Sequence, residues 1–295
     1  MIKTYFLFLG LLLSSFCPYA AEKIPRITVS EVAGNIYIIE SSHDHNALVG
    51  SDWDNFSGGN IGLSIGKDGV LIVDTKYTKF ADEVKAAIDS VGGDAPKFIL
   101  DTHSHDDHMN ANPVFSEQGT VIAHSKARTR IMEKQPKEAW PVITFDDKIS
   151  IHLNGEEIKV LHYPNGHTDG DAVIFFTKSN VMHMGDLFFN GYLPFIDLDS
   201  GGDVKGYVNN IDSILASLPD DVRIIPGHGP VASKSDLGNY HRMLQDIIAL
   251  VTSQMHAGKS LETIKQMGLQ KEWSKAWGMV STDSFIETIY KSYSR

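Results

Sequence analysis

The feature that most constrains this chain is the segment from His103 to His108, which places three imidazoles and the carboxylate of Asp107 within six residues. It follows the apolar run Phe98-Ile99-Leu100 after two intervening residues, so we expect it in a loop at the end of a strand. Alternate residues of an extended segment share a side, so His103 and His105 can reach one metal ion. The turn that follows directs Asp107 and His108 towards another. The spacing therefore predicts two metal ions.

Further candidate ligands occur later in the chain, in surroundings of the same kind. His167 stands in Gly-His-Thr-Asp-Gly-Asp, Asp186 follows Met-Gly, and His228 stands in Pro-Gly-His-Gly. Each lies near the end of an apolar run that reads as a strand, so a rigid scaffold can aim its side chain. One His beside a Gly is usually an ordinary loop residue, but four such segments in series favour a metal centre.

The four segments resemble the motifs of the metallo-β-lactamase fold superfamily of metallohydrolases: HxHxDH at 103–108, GHTxGD at 166–171, GD at 185–186 and PGHG at 226–229. The resemblance extends to an opening hairpin at 60–65 and 70–74, so it covers nearly the whole chain after the N-terminal segment. It implies an α/β fold, the four-layer αββα sandwich of the metallo-β-lactamase type. The metals would then lie in a cleft at one edge of the sandwich.

The resemblance also implies which residues bind which metal. A first metal would be bound by His103, His105 and His167, and a second by Asp107, His108 and His228, with Asp186 bridging the two. A bridging Asp is usual in the glyoxalase II and lactonase branches, whereas the true metallo-β-lactamases commonly have a Cys there or do not use the position as a ligand. The implied activity is metal-dependent hydrolysis of an ester, thioester, lactone or amide bond of a small molecule. Hydrolysis of β-lactam antibiotics is the alternative.

The ligand types predict the chemistry. Imidazoles and carboxylates without a thiolate favour two Zn²⁺ ions per chain, although iron or manganese would tolerate the same set. The centre keeps net positive charge, which lowers the pKa of a bound water towards about 7 and makes a hydroxide bridged between the ions available at neutral pH. The resemblance implies that Asp107 is the catalytic residue, because in the pattern of that superfamily this position binds the second metal and accepts a hydrogen bond from the nucleophile, and could so carry a proton to the leaving group; the other interpretation is a plain metal ligand. Asp74 and Asp101 end apolar strands and are expected to accept hydrogen bonds from ligand imidazoles or loop amides.

Two other classes of protein remain as alternatives. Some members of the superfamily are non-haem iron redox enzymes. The oxygen-reducing ones differ from this sequence, because they have a carboxylate in place of the second His of the first motif. The persulfide-oxidising ones use fewer metal ligands, so the full set of seven candidate ligands here argues against them. A non-catalytic zinc site is disfavoured, because structural zinc sites usually have four ligands and are closed.

Aromatic residues are the predicted substrate contacts. Trp53 and Phe56 lie in a segment rich in Gly, Ser, Asp and Asn, which is typical of a mobile loop that could fold over a substrate. Tyr192 follows Asp186 closely enough to line the same cleft. Core packing is the competing interpretation for each of them.

The N-terminal segment 1–20 has the pattern of a secretory signal peptide: Lys3, the apolar run 6–13, and then small residues. The apolar run is too short to favour a membrane span. We therefore expect a periplasmic or secreted protein without stable membrane insertion, whose hydrolase domain comprises 21–295. Cys17, the only cysteine, lies in the segment expected to be removed, which would leave no disulfide.

The charge of the chain bears on its partners. The formal net charge of −11 becomes −12 without residues 1–20, which contain one Lys and no acid. Nucleic acid is disfavoured as a substrate, because binding to it depends on clustered Lys and Arg. The densest basic run, 126–130, is predicted to be a solvated helix face. A small-molecule substrate is the expected partner.

Hydrophobic periodicity predicts the elements of the fold. Strands are predicted at 35–40, 61–65, 70–74, 97–101, 120–124, 142–145, 149–153, 157–163, 172–177, 181–185 and 222–225, with a hairpin turn at Asn154-Gly155. Apolar stripes at helical spacing predict helices within 80–91, 204–218 and 237–251, and two short helices within 258–295. His241 is predicted to lie at the surface of the third of these helices.

Overall fold

The computed structural model describes residues 27–41, 57–270, 273 and 280–295. The predicted signal peptide and the predicted substrate contacts Trp53 and Phe56 lie outside the described residues. The strands are β1 (Ile27–Ala33), β2 (Ile36–Ser41), β3 (Ile61–Gly66), β4 (Gly69–Val73), β5 (Pro96–Leu100), β6 (Thr120–His124), β7 (Ile143–Phe145), β8 (Lys148–Leu153), β9 (Glu156–His162), β10 (Ala172–Phe176), β11 (Val181–His183), β12 (Arg223–Ile225) and β13 (Ala232–Ser233). The α-helices are α1 (Ala81–Ser90), α2 (Asp106–Met109), α3 (Asn112–Phe115), α4 (Ser125–Lys134), α5 (Val204–Ser217), α6 (Lys234–His256), α7 (Leu261–Met267) and α8 (Thr282–Tyr293).

The first sheet contains strands β1 to β7 in sequence order. Neighbours from β1 to β4 are antiparallel, and those from β4 to β7 are parallel. The side chains of β4 alternate: Leu71 and Val73 face the second sheet, while Val70 and Ile72 face the outer helices. All four are at most 1% exposed, which is why this strand is a continuous apolar run.

The second sheet has the order β13-β12-β11-β10-β9-β8. Strands β8 to β11 pair antiparallel with their neighbours, whereas β11 and β12 run parallel. The turn between β8 and β9 consists of Asn154 and Gly155, whose φ angles are 54° and 76°. A type I′ hairpin requires left-handed backbone at both central residues, so the predicted turn is confirmed.

Helices cover the outer face of each sheet. Residues of α1 and α3 pack on the first sheet, those of α5, α6 and α8 pack on the second, and a third apolar cluster fills the space between the sheets. The predicted four-layer αββα sandwich is therefore confirmed. None of the helices in the described part of the chain combines the length and apolar character that a bilayer span requires.

The predicted strands all occur, with ends that differ by one or two residues. The edge strands β1 and β13 were not predicted: β1 is largely exposed and lacks an apolar run, and β13 has only two residues. The prediction for His241 is wrong, because this residue of α6 is only 7% exposed. Helix α6 packs against both α5 and α8, which buries more of its circumference than a single apolar stripe suggests.

The sandwich brings the ends of several strands to the same edge. In the first sheet β4 and β5 are parallel, and in the second β9, β11 and β12 share one direction. The segments that follow these strands carry Asp74, the HxHxDH motif, His167, Asp186 and His228. The carboxyl ends of parallel strands commonly form binding sites in α/β proteins.

Ile174 tests the inter-sheet core. It is fully buried between Val160 and His183 on the neighbouring strands. Ile174→Ala should lower the free energy of unfolding by about 2–5 kcal/mol, because it removes buried methyl groups and leaves a cavity. The control Val142→Ala, at a residue 75% exposed, should change it by less than about 0.5 kcal/mol. Equal losses in denaturant unfolding would contradict this description of the core.

Candidate metal centre

The side chains that were predicted from the sequence as metal ligands lie together at the edge of the sandwich where the carboxyl ends of β5, β9, β11 and β12 meet. They lie in the loop after β5 (His103, His105), in α2 (Asp107, His108), in the loop after β9 (His167), in the turn after β11 (Asp186) and in the loop after β12 (His228). Except for His105, each is at most 9% exposed. Protein groups or bound ions, rather than bulk water, must therefore satisfy their polar atoms.

The candidate ligands form two groups. Within each group, one potential ligand atom per residue lies within 4.8 Å of the others; the first is His103, His105, His167 and Asp186, and the second is Asp107, His108 and His228. Two ligands of a tetrahedral zinc ion lie about 3.3 Å apart when the bonds are 2.0–2.1 Å long. His167 Nε2 and His105 Nδ1 are 2.8 Å apart, and His228 Nε2 and His108 Nε2 are 3.3 Å apart. The spacing in the second group matches that value, whereas the spacing in the first group is shorter and equals a hydrogen-bond distance.

Asp186 lies between the two groups, with one oxygen turned towards each. Its Oδ2 is 3.4 Å from His167 Nε2 and 3.8 Å from His103 Nε2. Its Oδ1 is 3.1 Å from His108 Nε2 and 3.3 Å from His228 Nε2. This geometry suits a carboxylate that bridges two metal ions.

Several buried polar atoms in the centre fit a metal better than a hydrogen bond. His103 Nε2, Asp107 Oδ2 and Asp186 Oδ1 are buried and have no aligned hydrogen-bond partner. An unsatisfied buried polar group costs about 1–3 kcal/mol, so three in one place require an explanation. The donor set of imidazoles and carboxylates is the set that zinc accepts. The residues therefore fit a pair of divalent metal ions.

Protein groups hold the ring nitrogens that point away from the centre. Asp197 Oδ2 lies 3.0 Å from His105 Nε2, which leaves Nδ1 of that ring facing His167. The carbonyl of Phe195 accepts a hydrogen bond from His167 Nδ1 at 2.7 Å. Such contacts fix the orientation of an imidazole and increase its basicity as a ligand.

Asp74 supports ligands in both groups. Its Oδ2 lies 2.8 Å from His108 Nδ1 and also accepts the hydroxyl of Thr102, which in turn lies 3.0 Å from His103 Nδ1. Its Oδ1 accepts the backbone N–H of Thr102 at 2.8 Å. Asp101 instead binds the side-chain amide of Asn112 through both oxygens, so it supports the loop without contacting an imidazole.

Burial and charge have opposite effects on the pKa values of the ligand imidazoles: burial lowers them, and nearby carboxylates raise them. In the first group, burial lowers the pKa of His167 to about 4 and holds that of His103 well below its usual range. Burial also lowers the pKa of His108, but the carboxylates of Asp186, Asp107 and Asp74 outweigh it and raise the pKa well above the ordinary value. The carboxylates thus favour the protonated form of His108, whereas burial favours the neutral forms of His103 and His167.

The aromatic residues after Asp186 differ in exposure. Tyr192, a predicted substrate contact, is 5% exposed and packs in the same hydrophobic cluster as Phe188. Phe195 is 44% exposed, and its ring centre lies 5.8 Å from that of His105 and 5.9 Å from that of His167. Both residues follow Asp186 closely enough to line the cleft, and the exposed ring beside the metal ligands is that of Phe195, while Tyr192 stays a predicted substrate contact.

Known proteins share both the sequence pattern and the fold. The family model described as Metallo-beta-lactamase superfamily matches residues 54–228. A metallo-beta-lactamase type 2 of Elizabethkingia meningoseptica is 23% identical over 214 residues, which cover 70% of this chain and 80% of that protein. The hydroxyacylglutathione hydrolase GloC of Haemophilus influenzae is 30% identical over 175 residues, which cover 50% of this chain and 82% of that protein. Among solved structures, a metallo-beta-lactamase from Pontibacter korlensis is 18% identical with a TM-score of 0.64, covering 75% of this chain and 99% of that one.

Asp197 was not predicted from the sequence, and its contact with His105 can be tested. Asp197→Asn removes the negative charge beside His105 Nε2, so metal affinity at the first group should fall by about 10–100-fold. Competition with a chromophoric chelator measures this change. Asp199→Asn is the matched control, because Asp199 is exposed two residues away. Wild-type affinity in Asp197→Asn would mean that the carboxylate does not support the ligand.

Proposed function

This chain belongs to the metallo-beta-lactamase superfamily, and from that premise we propose that it is a dinuclear zinc hydrolase that cleaves an ester, thioester, lactone or amide bond of a small molecule. The observation that carries the proposal is the position of Asp186, which faces both groups of ligands. The likeness to a hydroxyacylglutathione hydrolase supports a thioester or ester as the bond that is cleaved.

The protein's contribution is to gather and orient ligands around the reacting bond. When bound, two zinc ions supply Lewis acidity, which lowers the pKa of a coordinated water and polarises the substrate carbonyl. Asp74 and Asp197 fix the rings of His108 and His105 before the substrate arrives. Preorganised ligands of this kind need little rearrangement during the reaction.

We assign Asp107 the role of proton carrier. Its Oδ2 lies 3.4 Å from His228 Nε2 and 3.5 Å from His108 Nε2, and it has no aligned hydrogen bond. A carboxylate here would hold the second metal ion together with His108 and His228, and it would supply a base that takes a proton from water and returns it to the leaving group.

Hydrolysis of β-lactams is a second candidate. The likeness to a metallo-beta-lactamase type 2 over most of that protein's length favours it. The same centre would attack a strained amide, so the ligands alone do not separate the two activities. The difference must come from the contacts that hold the rest of the substrate.

A substrate panel separates these candidates. Protein of measured zinc content should be assayed with an acyl thioester, a lactone, a β-lactam and a phosphodiester, with and without a chelator. We expect chelator-sensitive hydrolysis of the thioester or the lactone. Turnover of the β-lactam alone would select the second candidate, and no chelator-sensitive turnover in the whole panel would refute the proposed function.

Asp107→Asn tests the proton carrier. This change removes an anionic ligand and a proton acceptor, so kcat should fall by about 10²–10⁴-fold while the fold is retained. Asp106→Asn is the matched control, because the neighbouring Asp106 is bound by Gln135 and belongs to neither group of ligands. Normal rates at full metal content in Asp107→Asn would remove this role, and circular dichroism checks the fold.

Phe195→Ala tests the exposed ring as a substrate contact. Burying a Phe side chain against an apolar acyl group contributes about 1.5–3 kcal/mol, so kcat/KM for a long-chain acyl thioester should fall by roughly 10–100-fold. The acetyl thioester, which cannot reach the ring as well, should be affected much less. Phe195→Tyr keeps the ring and serves as the control. A loss of equal size for both substrates would argue against a contact with the acyl chain.

A further inference from the structure

Lys76 is buried in a way that is unusual for its type. Its side chain is 0% exposed, and it is the one Lys or Arg that is buried within 27–41, 57–270, 273 and 280–295. Removing an ammonium group from water costs several kcal/mol unless charges and hydrogen bonds compensate. Such a residue is retained only where the surrounding structure satisfies it, so its contacts are informative.

The contacts of Lys76 join two segments beside the second group of metal ligands. Its Nζ donates to the carbonyl of Gly58 at 3.3 Å and to the carbonyl of Gly59. Its own backbone carbonyl accepts the N–H of Ala111, just after α2, and the N–H of the preceding Thr75 donates to the carbonyl of His108. The backbone at Thr75 and Lys76 therefore contacts the helix that carries Asp107 and His108, while the side chain of Lys76 binds the segment 58–60, which we call the glycine strap.

The glycine strap lies directly on the ligands of the second group. The N–H of Gly59 donates to the carbonyl of Asp107 at 3.0 Å. A Cβ on Gly59 would lie 2.1 Å from a ring atom of His108, and one on Gly58 would lie 2.3 Å from the carbonyl oxygen of Asp107. These distances allow no side chain at either position, so only glycine permits the approach.

The strap also reaches the loop of the third ligand in this group. The N–H of Asn60 donates to the carbonyl of Gly227 at 2.7 Å, and its side-chain amide donates to the carbonyls of Pro226 and Gly229. Those three residues surround His228. The strap therefore contacts the backbone or side chain at Asp107 and His108 and the loop of His228.

The local backbone and charges agree with a functional role for Lys76. The φ angles of Asp74 and Lys76 are 64° and 62°, a left-handed conformation that is costly for residues other than glycine and that clusters at functional sites. Burial lowers the pKa of Lys76 to about 7, and the nearby carboxylates of Asp107, Glu40 and Asp74 oppose this shift. The carboxylates thus offset only part of the cost of burying the ammonium group.

We propose that Lys76 is a positioning residue that clamps the glycine strap onto the second group of metal ligands and thereby sets the affinity of the second metal ion. The inference rests on the proposed dinuclear function. A role in general stability predicts equal effects on both metal ions, because the fold carries both groups. The clamp predicts an effect on the second metal ion, because the strap touches the ligands of that group.

Stepwise titration of the metal-free chain with Co²⁺ tests the clamp without any assay of activity. Lys76→Met keeps an unbranched side chain of similar length and removes the ammonium group. We expect the second Co²⁺ to bind at least tenfold more weakly and its visible absorption bands to shift, with the first Co²⁺ unchanged. Lys85→Met, at an exposed residue of α1, is the matched control and should bind both ions like the wild type.

The alternative outcomes overturn the proposal. Unchanged binding of both ions in Lys76→Met would show that the clamp is unnecessary, and equal weakening of both would assign Lys76 to general stability.

If Lys76→Met does not fold, hydrogen exchange on the wild-type protein tests whether the strap is linked to the second metal ion. Because linkage is reciprocal, the second equivalent of Co²⁺ must slow exchange at the amides of Gly59 and Asn60 more than the first does. Equal protection of these amides by the first and the second equivalent of Co²⁺ would overturn the clamp. If the expected Co²⁺ binding is observed but no substrate of the panel is hydrolysed, only the proposed activity is refuted.

Discussion

The two halves of the metal centre depend on the contacts of the Asp186 carboxylate with both groups of ligands. The two oxygens of this carboxylate face different groups of imidazoles. The hydroxyl of Tyr207 donates to the backbone carbonyl of Asp186 at 3.0 Å and so helps to fix the position of the residue. A Cβ on Gly227 would lie 2.1 Å from Asp186 Oδ1, so that glycine leaves the space which the carboxylate occupies. Tyr207 also bonds Tyr240, which ties α5 and α6 to the centre. The outer helices thus hold a ligand as well as cover the sheet.

The fold, the candidate ligands and part of their supporting contacts could be predicted from the sequence. Strands buried on both faces, such as β4, produce apolar runs that periodicity detects, and the ligands sit in motifs at the ends of those runs. The outlying strand β13 is too short to leave such a pattern. Asp74 was predicted as a supporting carboxylate because it directly ends an apolar strand, and it does contact a ligand imidazole.

The residues that sequence reasoning missed owe their roles to distant partners. Asp197 meets His105 across 92 positions of the chain, and no local spacing marks that contact. Lys76 looks like an ordinary surface lysine after a strand, because the carbonyls that its side chain binds belong to Gly58 and Gly59, which lie 18 and 17 positions earlier in the chain. Tyr192 and Phe195 are two aromatic residues of one short segment. Tyr192 is buried in the hydrophobic cluster between the second sheet and its helices and Phe195 is exposed, a difference that the local sequence does not mark.

The two groups of ligands also differ in their access to solvent, which bears on how a substrate would approach. On the side of the first group, the side chain of His105 is 17% exposed and Phe195 beside it is 44% exposed. In the second group, His108 is fully buried and lies under the glycine strap, with Gly59 against its ring. Within the described residues, the most exposed ligand side chains are therefore His105 in the first group and Asp107, at 12%, in the second. The openings for a substrate lie beside these two residues, whereas the ring of His108 is covered by Gly59, whose carbonyl binds Lys76.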